Sequence, residues 1–335
     1  MDAELDPVLA LYPSSIQPIG PTEFLGNSGG GSGARLWKFA TGQGPLVARA
    51  WPPEHPDRPT LAQIHGWLAR AAPLGFIPVP LAGLDGGTIQ GRGGRLWEVA
   101  PWLPGRADPS RPPDPLHLHL AFAGLAAFHR IFDPPESIGP SPGLRGRFVE
   151  MDGLIGGEFD RFRNAIAHAP EGEERDLASR WLIAARDQAG PIRTWLEPWA
   201  DRAVPLGPRL RDARPDHFLF DSDRLAGLVD FGAMGIESTS ADLARMMSEW
   251  CGDDLELRAL AQSTYQSVRP LSPVEDAAIE AFARSANLLG GARWVRWGFV
   301  EARRFNNPLA LVEGLRRSVE RIESKFTRSR QSQND

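Results

Sequence analysis

Short runs of β-favouring residues, separated by glycine-rich turns, fill most of the first hundred residues. This alternation predicts short antiparallel strands with tight connections between them. A stretch from about Thr60 to Ala72 breaks the pattern, and Pro59 and Pro73 on either side predict that it is a helix. The predicted strands are residues 35–39, 46–51, 88–90 and 95–99.

After residue 115 the apolar positions recur every three or four residues, which is typical of helices with one buried face. A single β-like stretch at 218–231 interrupts this half, with a polar turn between two apolar runs, and predicts a hairpin. The polar end of the chain, 327–335, is predicted to fray. The predicted helices are residues 116–132, 154–168, 174–189, 191–200, 239–251, 254–268, 272–289 and 307–326.

Six prolines fall within residues 101–115, and this shift in composition predicts a connector between two lobes. The chain is therefore predicted to be an α+β protein with two lobes. A leader at 1–14 precedes a small β-rich lobe at 15–100. A larger, mostly helical lobe at 116–326 carries the hairpin.

Composition and charge narrow the class of protein. Of the 335 residues, 42% are hydrophobic and 24% are charged, values of a globular protein and not of a disordered chain. A net charge of −5 disfavours a nucleic-acid binder, and the absence of an 18-residue apolar run disfavours a membrane protein. The single cysteine, Cys251, excludes a disulfide scaffold and a cysteine-rich zinc site. An acidic N-terminal segment is unlike a secretory signal, so a cytoplasmic protein is expected. Oligomeric state cannot be read from these features.

A glycine-rich stretch between two predicted strands is a candidate phosphate-binding loop. Glycine lets successive backbone N–H groups approach an anion closely. No Gly-Lys-Ser/Thr motif follows and no helix follows, so it is neither a Walker A loop nor a dinucleotide-binding turn. A surface turn without function is the alternative. The candidate residues are Gly29, Gly30, Gly31, Ser32 and Gly33.

The hairpin and its flanks carry the most specific signal. Asp212 is followed five residues later by His217, and Asp230-Phe231-Gly232 comes directly after the hairpin. With Leu125–His129 upstream and Ser240–Arg245 downstream, this order resembles the protein-kinase-like fold, and most closely its aminoglycoside phosphotransferase and choline kinase branch. The matching order spans nearly the whole chain. It implies an ATP- or GTP-dependent kinase that phosphorylates a hydroxyl group of a small molecule.

The resemblance also implies roles for particular residues. Asp212 would be the base that accepts the hydroxyl proton, and Arg214 would offset charge on the transferring phosphate. Asp230 and His217 would hold Mg²⁺, for which carboxylate oxygen is a suitable donor. The glycine-rich loop would cover the nucleotide phosphates. The remaining implied nucleotide contacts are Arg49 on the third strand and, at the connector that binds adenine, Glu98 and Ala100.

The sequence departs from the family pattern at several positions. Leu210 replaces a histidine, His217 replaces the metal-binding asparagine, and Arg49 replaces the usual lysine. The 60–72 helix has no glutamate to pair with Arg49 and offers Gln63, His65 and Arg70 instead. A degenerate, nucleotide-binding regulatory protein therefore remains the alternative to an enzyme.

The direction of the His217 side chain would help to separate these two hypotheses. If it points to the same cavity as Asp212 and Asp230, a metal site is supported, and if it turns into the core, one ligand is lost. The substrate is open among aminoglycosides, choline, sugars and homoserine. An acidic cluster at residues 171–176 is most simply a solvated helix start, with a cationic substrate site as the alternative.

Overall fold

The computed structural model describes residues 3–26, 33–303, 305, 307 and 309–331. The α+β class predicted from the sequence is confirmed, since one antiparallel sheet is followed by a mostly helical remainder. The sheet has five strands in the order β1-β2-β3-β5-β4. Its strands are β1 (Glu23–Gly26), β2 (Arg35–Thr41), β3 (Gly44–Ala50), β4 (Gln90–Arg92) and β5 (Arg95–Pro101).

The two faces of this sheet have different characters, because alternate residues of a strand point to opposite sides. One face is apolar and forms a core of buried side chains. Arg49 and Glu98 lie at the intervening positions of β3 and β5 and are directly opposite each other in the register. The apolar core residues of the three central strands are Trp37, Phe39, Leu46, Ala48, Ala50, Trp97 and Val99.

The segment predicted as a leader packs on the apolar face of the sheet. Its short helix α1 (Asp6–Leu9) buries Val8 and Leu9, and the flanking Leu5 and Tyr12 join the same core. The Gln17 side chain donates to the carbonyl oxygens of Leu9 at 2.7 Å and Tyr12 at 3.1 Å. This segment is therefore part of the packing of the sheet.

Helix α2 (Arg58–Ala71) connects β3 to the strands that follow. It begins where Asp57 accepts a hydrogen bond from the backbone N–H of Thr60 at 2.9 Å, an N-cap that satisfies one of the unpaired donors of the first turn. Its buried face includes Leu61, Ile64 and Leu68, and also a histidine, His65. The helix predicted here from its flanking prolines is confirmed.

The rest of the chain adds eight helices and five strands over the described residues. Segments with wider helical turns continue α4, α7 and α9 at Leu154–Glu158, Met247–Cys251 and Arg296–Val300. Over the described part of the chain, no helix has the length and apolarity needed to span a membrane. The elements are α3 (Pro115–Arg130), β6 (Ser137–Pro140), α4 (Pro142–Gly153), α5 (Phe159–Ala167), α6 (Glu173–Ala200), β7 (Ala203–Arg209), β8 (Phe218–Asp221), β9 (Arg224–Leu228), β10 (Gly235–Glu237), α7 (Thr239–Met246), α8 (Leu255–Val268), α9 (Pro273–Val295) and α10 (Ala310–Gln331).

The residues divide into two compact units that differ from the predicted lobes. The first comprises the described residues of Met1–Pro134 together with Gly207–Gly235 and Met246–Pro270. The second comprises Pro135–Leu206, Ile236–Arg245 and the described residues of Leu271–Asp335. The five-stranded sheet, the 101–115 connector and the β8–β9 hairpin thus all belong to one unit. These elements are grouped by contacts between residues that lie far apart in the sequence.

Two helical predictions are wrong in detail. The helix expected at 154–168 corresponds to Leu154–Glu158 and α5, but α4 before it went unpredicted; Ser141 caps α4 by accepting from the N–H of Leu144 at 3.1 Å. The helices expected at 174–189 and 191–200 are one helix, α6, with Pro191 inside it. Loss of one backbone hydrogen bond at a proline is offset there by the burial of the apolar face of α6.

Three strands beyond the five-stranded sheet went unpredicted. β7 carries two prolines and a glycine, residues that disfavour strands, yet it pairs with β6 from Ser137↔Leu206 to Pro140↔Ala203. β6 and β10 are only four and three residues long, too short for an alternating pattern to be recognised. At the other end, α10 continues to Gln331, so the first residues of the predicted tail are helical, and 332–335 lie outside the described residues.

Truncating Leu5 tests whether the N-terminal segment belongs to the core. Leu5 is fully buried, so Leu5→Ala is expected to lower the free energy of unfolding by about 2–5 kcal/mol, through lost apolar burial and a residual cavity. The control is Ile19→Ala, since Ile19 is 72% exposed and should change stability by less than about 0.5 kcal/mol. Urea denaturation of both variants provides the comparison, and equal stability of the two would contradict the assignment.

Candidate active site

The proline-rich connector is ordered by one carboxylate. Asp108 accepts hydrogen bonds from the N–H of Ser110 at 2.8 Å and of Asp114 at 3.2 Å, and His117 Nδ1 lies 3.1 Å from it. Although burial acts in the opposite direction, these hydrogen bonds, together with that of the Ser110 hydroxyl, lower the pKa of Asp108 to about 2. The connector is therefore held around an ionised carboxylate at neutral pH.

The connector is joined to the β8–β9 hairpin within the first unit. Arg106 and Phe220 exchange two backbone hydrogen bonds, of 2.9 and 2.8 Å, and the His117 ring stacks on Phe220 with 4.2 Å between centroids. Gly105 has φ +93°, and a Cβ atom there would lie 2.6 Å from the carbonyl oxygen of Phe220. Only glycine fits this approach, which sets the position of the hairpin relative to the connector.

The candidate catalytic loop lies between β7 and β8, with a 3₁₀ turn at Pro215–His217. Arg211, the residue before Asp212, has φ +63°, and Asp230, after β9, has φ +66°. Left-handed backbone at a non-glycine residue costs about 1–3 kcal/mol and persists only where surrounding contacts enforce it. The two strained positions fall beside the predicted base and at the predicted metal ligand.

His217 and Asp230 come together across the hairpin. His217 Nε2 lies 3.6 Å from Asp230 Oδ2, and the backbone N–H of Val229 donates to the His217 carbonyl at 3.0 Å. The His217 side chain is 9% exposed and that of Asp230 is 46% exposed. The imidazole is thus directed at the Asp230 carboxylate, which itself faces solvent.

Arg214 is surrounded by carboxylates. It donates two hydrogen bonds of 3.0 Å to Asp216, and its Nε lies 4.0 Å from Glu249. Partial burial works against the charged form, but the negative charges of Asp216, Glu249 and Asp212 together raise the pKa of Arg214. Arg214 and Asp212 are therefore close enough to interact electrostatically.

On the sheet side of the unit, Arg49 meets Glu98. The distance from Arg49 Nε to Glu98 Oε1 is 3.7 Å, and the guanidinium carbon lies 4.8 Å from the ring centroid of Trp51. The other oxygen of Glu98 is 2.7 Å from Nε2 of His65 on α2. The Glu98 side chain is therefore directed at Arg49 and His65.

The remaining predicted nucleotide contacts are only partly described. Ala100 is buried on β5 opposite Val47, and just beyond it the N–H of Trp102 donates to the Pro45 carbonyl at 3.0 Å. Gly33 has φ +74° and lies between β1 and β2, which are antiparallel neighbours in the sheet. The other four residues of the predicted phosphate loop, Gly29, Gly30, Gly31 and Ser32, lie outside the described residues.

The Asp230-Phe231-Gly232 segment is packed against both the sheet and a helix. Phe231 is buried, with its ring centroid 6.0 Å from that of Phe128 on α3. A Cβ atom on Gly232 would lie 2.8 Å from Cη2 of Trp51, the residue that also flanks Arg49. Trp51 therefore links the strand that carries Arg49 to the segment that carries Asp230.

The side chains near Asp230 suit a metal ion that takes only part of its coordination shell from the protein and the rest from a bound small molecule and water. Among the described residues, no group of three or more histidine, cysteine, aspartate or glutamate side chains could enclose a metal. Mg²⁺ in nucleotide sites commonly takes one or two carboxylates and completes its shell with phosphates and water. The Asp230 carboxylate fits that role, and the His217 imidazole is a poorer donor to so hard an ion.

Trp51 is a functional candidate that the sequence did not single out, and His65 was named there only as one of three polar residues that the predicted helix offers in place of a glutamate. A polar residue on the apolar face of a predicted helix was a usable signal for His65, because buried histidines need polar partners. No pattern in the sequence indicated the strand register that places Glu98 next to His65. At the acidic 171–176 segment, Glu173 forms an ion pair with Arg316.

The comparison with protein families assigns the class. A sequence model described as the phosphotransferase enzyme family matches residues 27–274, and the chain belongs to this family. The resemblance predicted from the catalytic loop and the Asp230-Phe231-Gly232 segment is thereby confirmed.

Among curated proteins, homoserine kinases are similar. That of Phenylobacterium zucineum is 26% identical over 239 residues, which cover 69% of this chain and 66% of that protein. That of Mesorhizobium japonicum is 27% identical over 240 residues, covering 70% and 68% respectively. The chain thus matches about two thirds of the length of these relatives.

Solved structures show the same fold at low identity. A spectinomycin phosphotransferase in complex with ADP and spectinomycin has a TM-score of 0.66 and 10% identity, covering 95% of this chain and 96% of its own. An amicoumacin kinase in complex with AMP-PNP and Ca²⁺ has a TM-score of 0.65 and 12% identity, covering 96% and 92%. The predicted protein-kinase-like fold is therefore confirmed.

Replacing Gly105 tests the junction between connector and hairpin. Gly93 also has positive φ but open space around it, so Gly93→Ala should lower the free energy of unfolding by about 1–2 kcal/mol from backbone strain alone. Gly105→Ala should lose about 1–3 kcal/mol more, because its Cβ atom meets the Phe220 carbonyl. Chemical denaturation measures both losses, and losses of the same size would contradict the close approach.

Proposed function

We propose that this protein transfers the γ-phosphate of ATP or GTP to a hydroxyl group of a small molecule. The observation that carries the proposal is the contact of His217 with Asp230, which lie just before β8 and just after β9. The loop that leads into the same hairpin holds Asp212 and Arg214. Membership of the phosphotransferase enzyme family supports the reaction class.

In the proposed reaction, Asp212 accepts the proton of the acceptor hydroxyl as its oxygen bonds to the γ-phosphorus. The bond from that phosphorus to the β–γ bridging oxygen breaks, and ADP or GDP leaves. Arg214 offsets the charge that develops on the transferring group, and Arg49 contacts the phosphates. Asp230 and His217 would hold Mg²⁺, which supplies further neutralisation of the nucleotide phosphates.

The acceptor we propose to test first is L-homoserine, which has a primary hydroxyl group. The support is the set of curated relatives named homoserine kinase, which match most of this chain. A Plasmodium vivax ethanolamine kinase has a similar fold, with a TM-score of 0.57 and 12% identity, so other amino alcohols should also be tested as acceptors. Choline, sugars, spectinomycin and other aminoglycosides complete the set of acceptors to be tested.

The role of Asp212 gives a direct prediction. Asp212→Asn should lower kcat for the preferred acceptor by roughly 10²–10⁴-fold, the usual contribution of a positioned general base. The dissociation constant of MgATP, measured by calorimetry, should stay unchanged. The matched control is Asp223→Asn, since Asp223 is an exposed aspartate in the turn of the same hairpin and should leave both quantities at the wild-type values.

Three outcomes would contradict parts of the proposal. Wild-type turnover by Asp212→Asn would remove the base from its role. Loss of MgATP binding in that variant would indicate a misfolded or differently built loop. Binding of MgATP without turnover on any acceptor would favour the nucleotide-binding regulatory protein, in keeping with His217 and Leu210 at positions where the family has asparagine and histidine.

A further inference from the structure

The sequence does not show which acidic side chain pairs with Arg49 on β3. A basic residue that contacts phosphates from a strand needs a fixed direction, which an acidic partner can provide. Helix α2 contains no glutamate or aspartate from Arg58 to Ala71. The structure places the carboxylate on β5 instead, as Glu98, directly opposite Arg49 in the antiparallel register.

Helix α2 reaches this carboxylate through a histidine. Nε2 of His65 lies 2.7 Å from Glu98 Oε2, and Nδ1 of His65 lies 2.7 Å from the Thr88 hydroxyl oxygen. In the tautomer that carries a proton on Nε2, His65 donates to Glu98 and its Nδ1 accepts the hydroxyl proton of Thr88, so both ring nitrogens have a hydrogen-bond partner. The His65 side chain is 5% exposed and that of Glu98 is 12% exposed, so water competes little for these bonds.

The charges favour an ionised Glu98. Burial by itself raises the pKa of this carboxyl, but the hydrogen bond from His65 and the charge of Arg49 outweigh burial, and the net pKa is lowered. Each carboxylate oxygen then has its own partner, Oε1 facing Arg49 and Oε2 facing His65. Trp51 flanks the guanidinium of Arg49 at 4.8 Å and restricts its other directions.

We propose that Glu98 orients Arg49 toward the nucleotide phosphates, and that His65 is a positioning residue that couples helix α2 to this pair. The link from helix to strand thus runs through a carboxylate on β5, with the histidine supplied by the helix. Loss of the His65 contact would leave Oε2 of Glu98 without this partner and so weaken the orientation of the carboxylate that faces Arg49. The inference rests on the proposed function, in which Arg49 contacts phosphate.

The first experiment compares Glu98→Gln and His65→Gln with the wild-type protein. Glu98→Gln should lower kcat/KM for ATP by roughly 10- to 100-fold, the range seen when a group that orients a ligand-binding residue is lost. His65→Gln should lower it about tenfold at the lower end of that range. The KM for the acceptor should stay within about twofold in both, because the pair acts on the nucleotide.

Moving the carboxylate from position 98 to position 65 tests whether Glu98 orients Arg49 or only stabilises the fold. In the double variant His65→Glu with Glu98→Gln, the acidic group moves from the strand to the helix, at the position whose side chain contacts residue 98, the partner of Arg49. This variant should regain at least part of the ATP kcat/KM lost in Glu98→Gln. A purely structural role predicts the opposite, since two buried changes would destabilise the protein further.

Two controls address folding. Gln63→Ala changes an exposed residue of the same helix and should leave ATP kinetics unchanged. His129→Asn removes another buried histidine, whose Nδ1 lies 2.8 Å from the Tyr265 hydroxyl, and should lower Tm without changing KM for ATP. If Glu98→Gln and His65→Gln behave like His129→Asn, with lower Tm and ATP kinetics within twofold, the inference is overturned.

Direct binding of MgATP separates failure of this inference from failure of the proposed function. If the wild type binds MgATP without turnover, the proposed reaction fails. The inference is then decided by whether Glu98→Gln and His65→Gln raise the calorimetric dissociation constant. If they raise it, the positioning role stands. If they leave it unchanged, or if the wild type binds no MgATP, the inference is overturned.

Discussion

The antiparallel pairing of β3 with β5 is the constraint on which the arrangement of the five-stranded sheet depends. The register sets Arg49 opposite Glu98, and the alternation of the strands sends the neighbours of both residues to the apolar face. A shift by one residue would bury the charged pair in the core and expose the apolar residues. The N-terminal helix α1 on the apolar face therefore helps to hold the charged pair on the other face.

A second constraint acts on the hairpin. Arg211 and Asp230 hold left-handed backbone that only dense surroundings can maintain. Two glycines make room for those surroundings, because a Cβ atom on Gly235 would lie 2.7 Å from Nη1 of Arg211, and one on Gly232 would meet Trp51. The strained loop and the sheet are thus fitted to each other inside one compact unit, and the candidate base and metal ligand inherit fixed directions.

Local pattern was sufficient for much of this architecture. Prolines delimited α2, apolar periodicity located α3 and α8, and a polar turn between apolar runs located the hairpin. Motif spacing identified the family, because the loop, hairpin and Asp230-Phe231-Gly232 segment are contiguous in sequence. Local pattern failed at β7 and at α6, where prolines sit inside elements that tertiary contacts stabilise.

The sequence by itself therefore determined the fold class and the family, because both depend on short-range order, and it predicted a set of candidate site residues. The tertiary structure alone decided which of those residues meet. Glu98 was predicted as a nucleotide contact at the adenine connector, and only the register of two strands distant in the chain shows it facing Arg49 and His65. Likewise, only the folded hairpin brings the His217 ring next to the Asp230 carboxylate. Such pairings depend on backbone geometry over long separations, which no local pattern encodes.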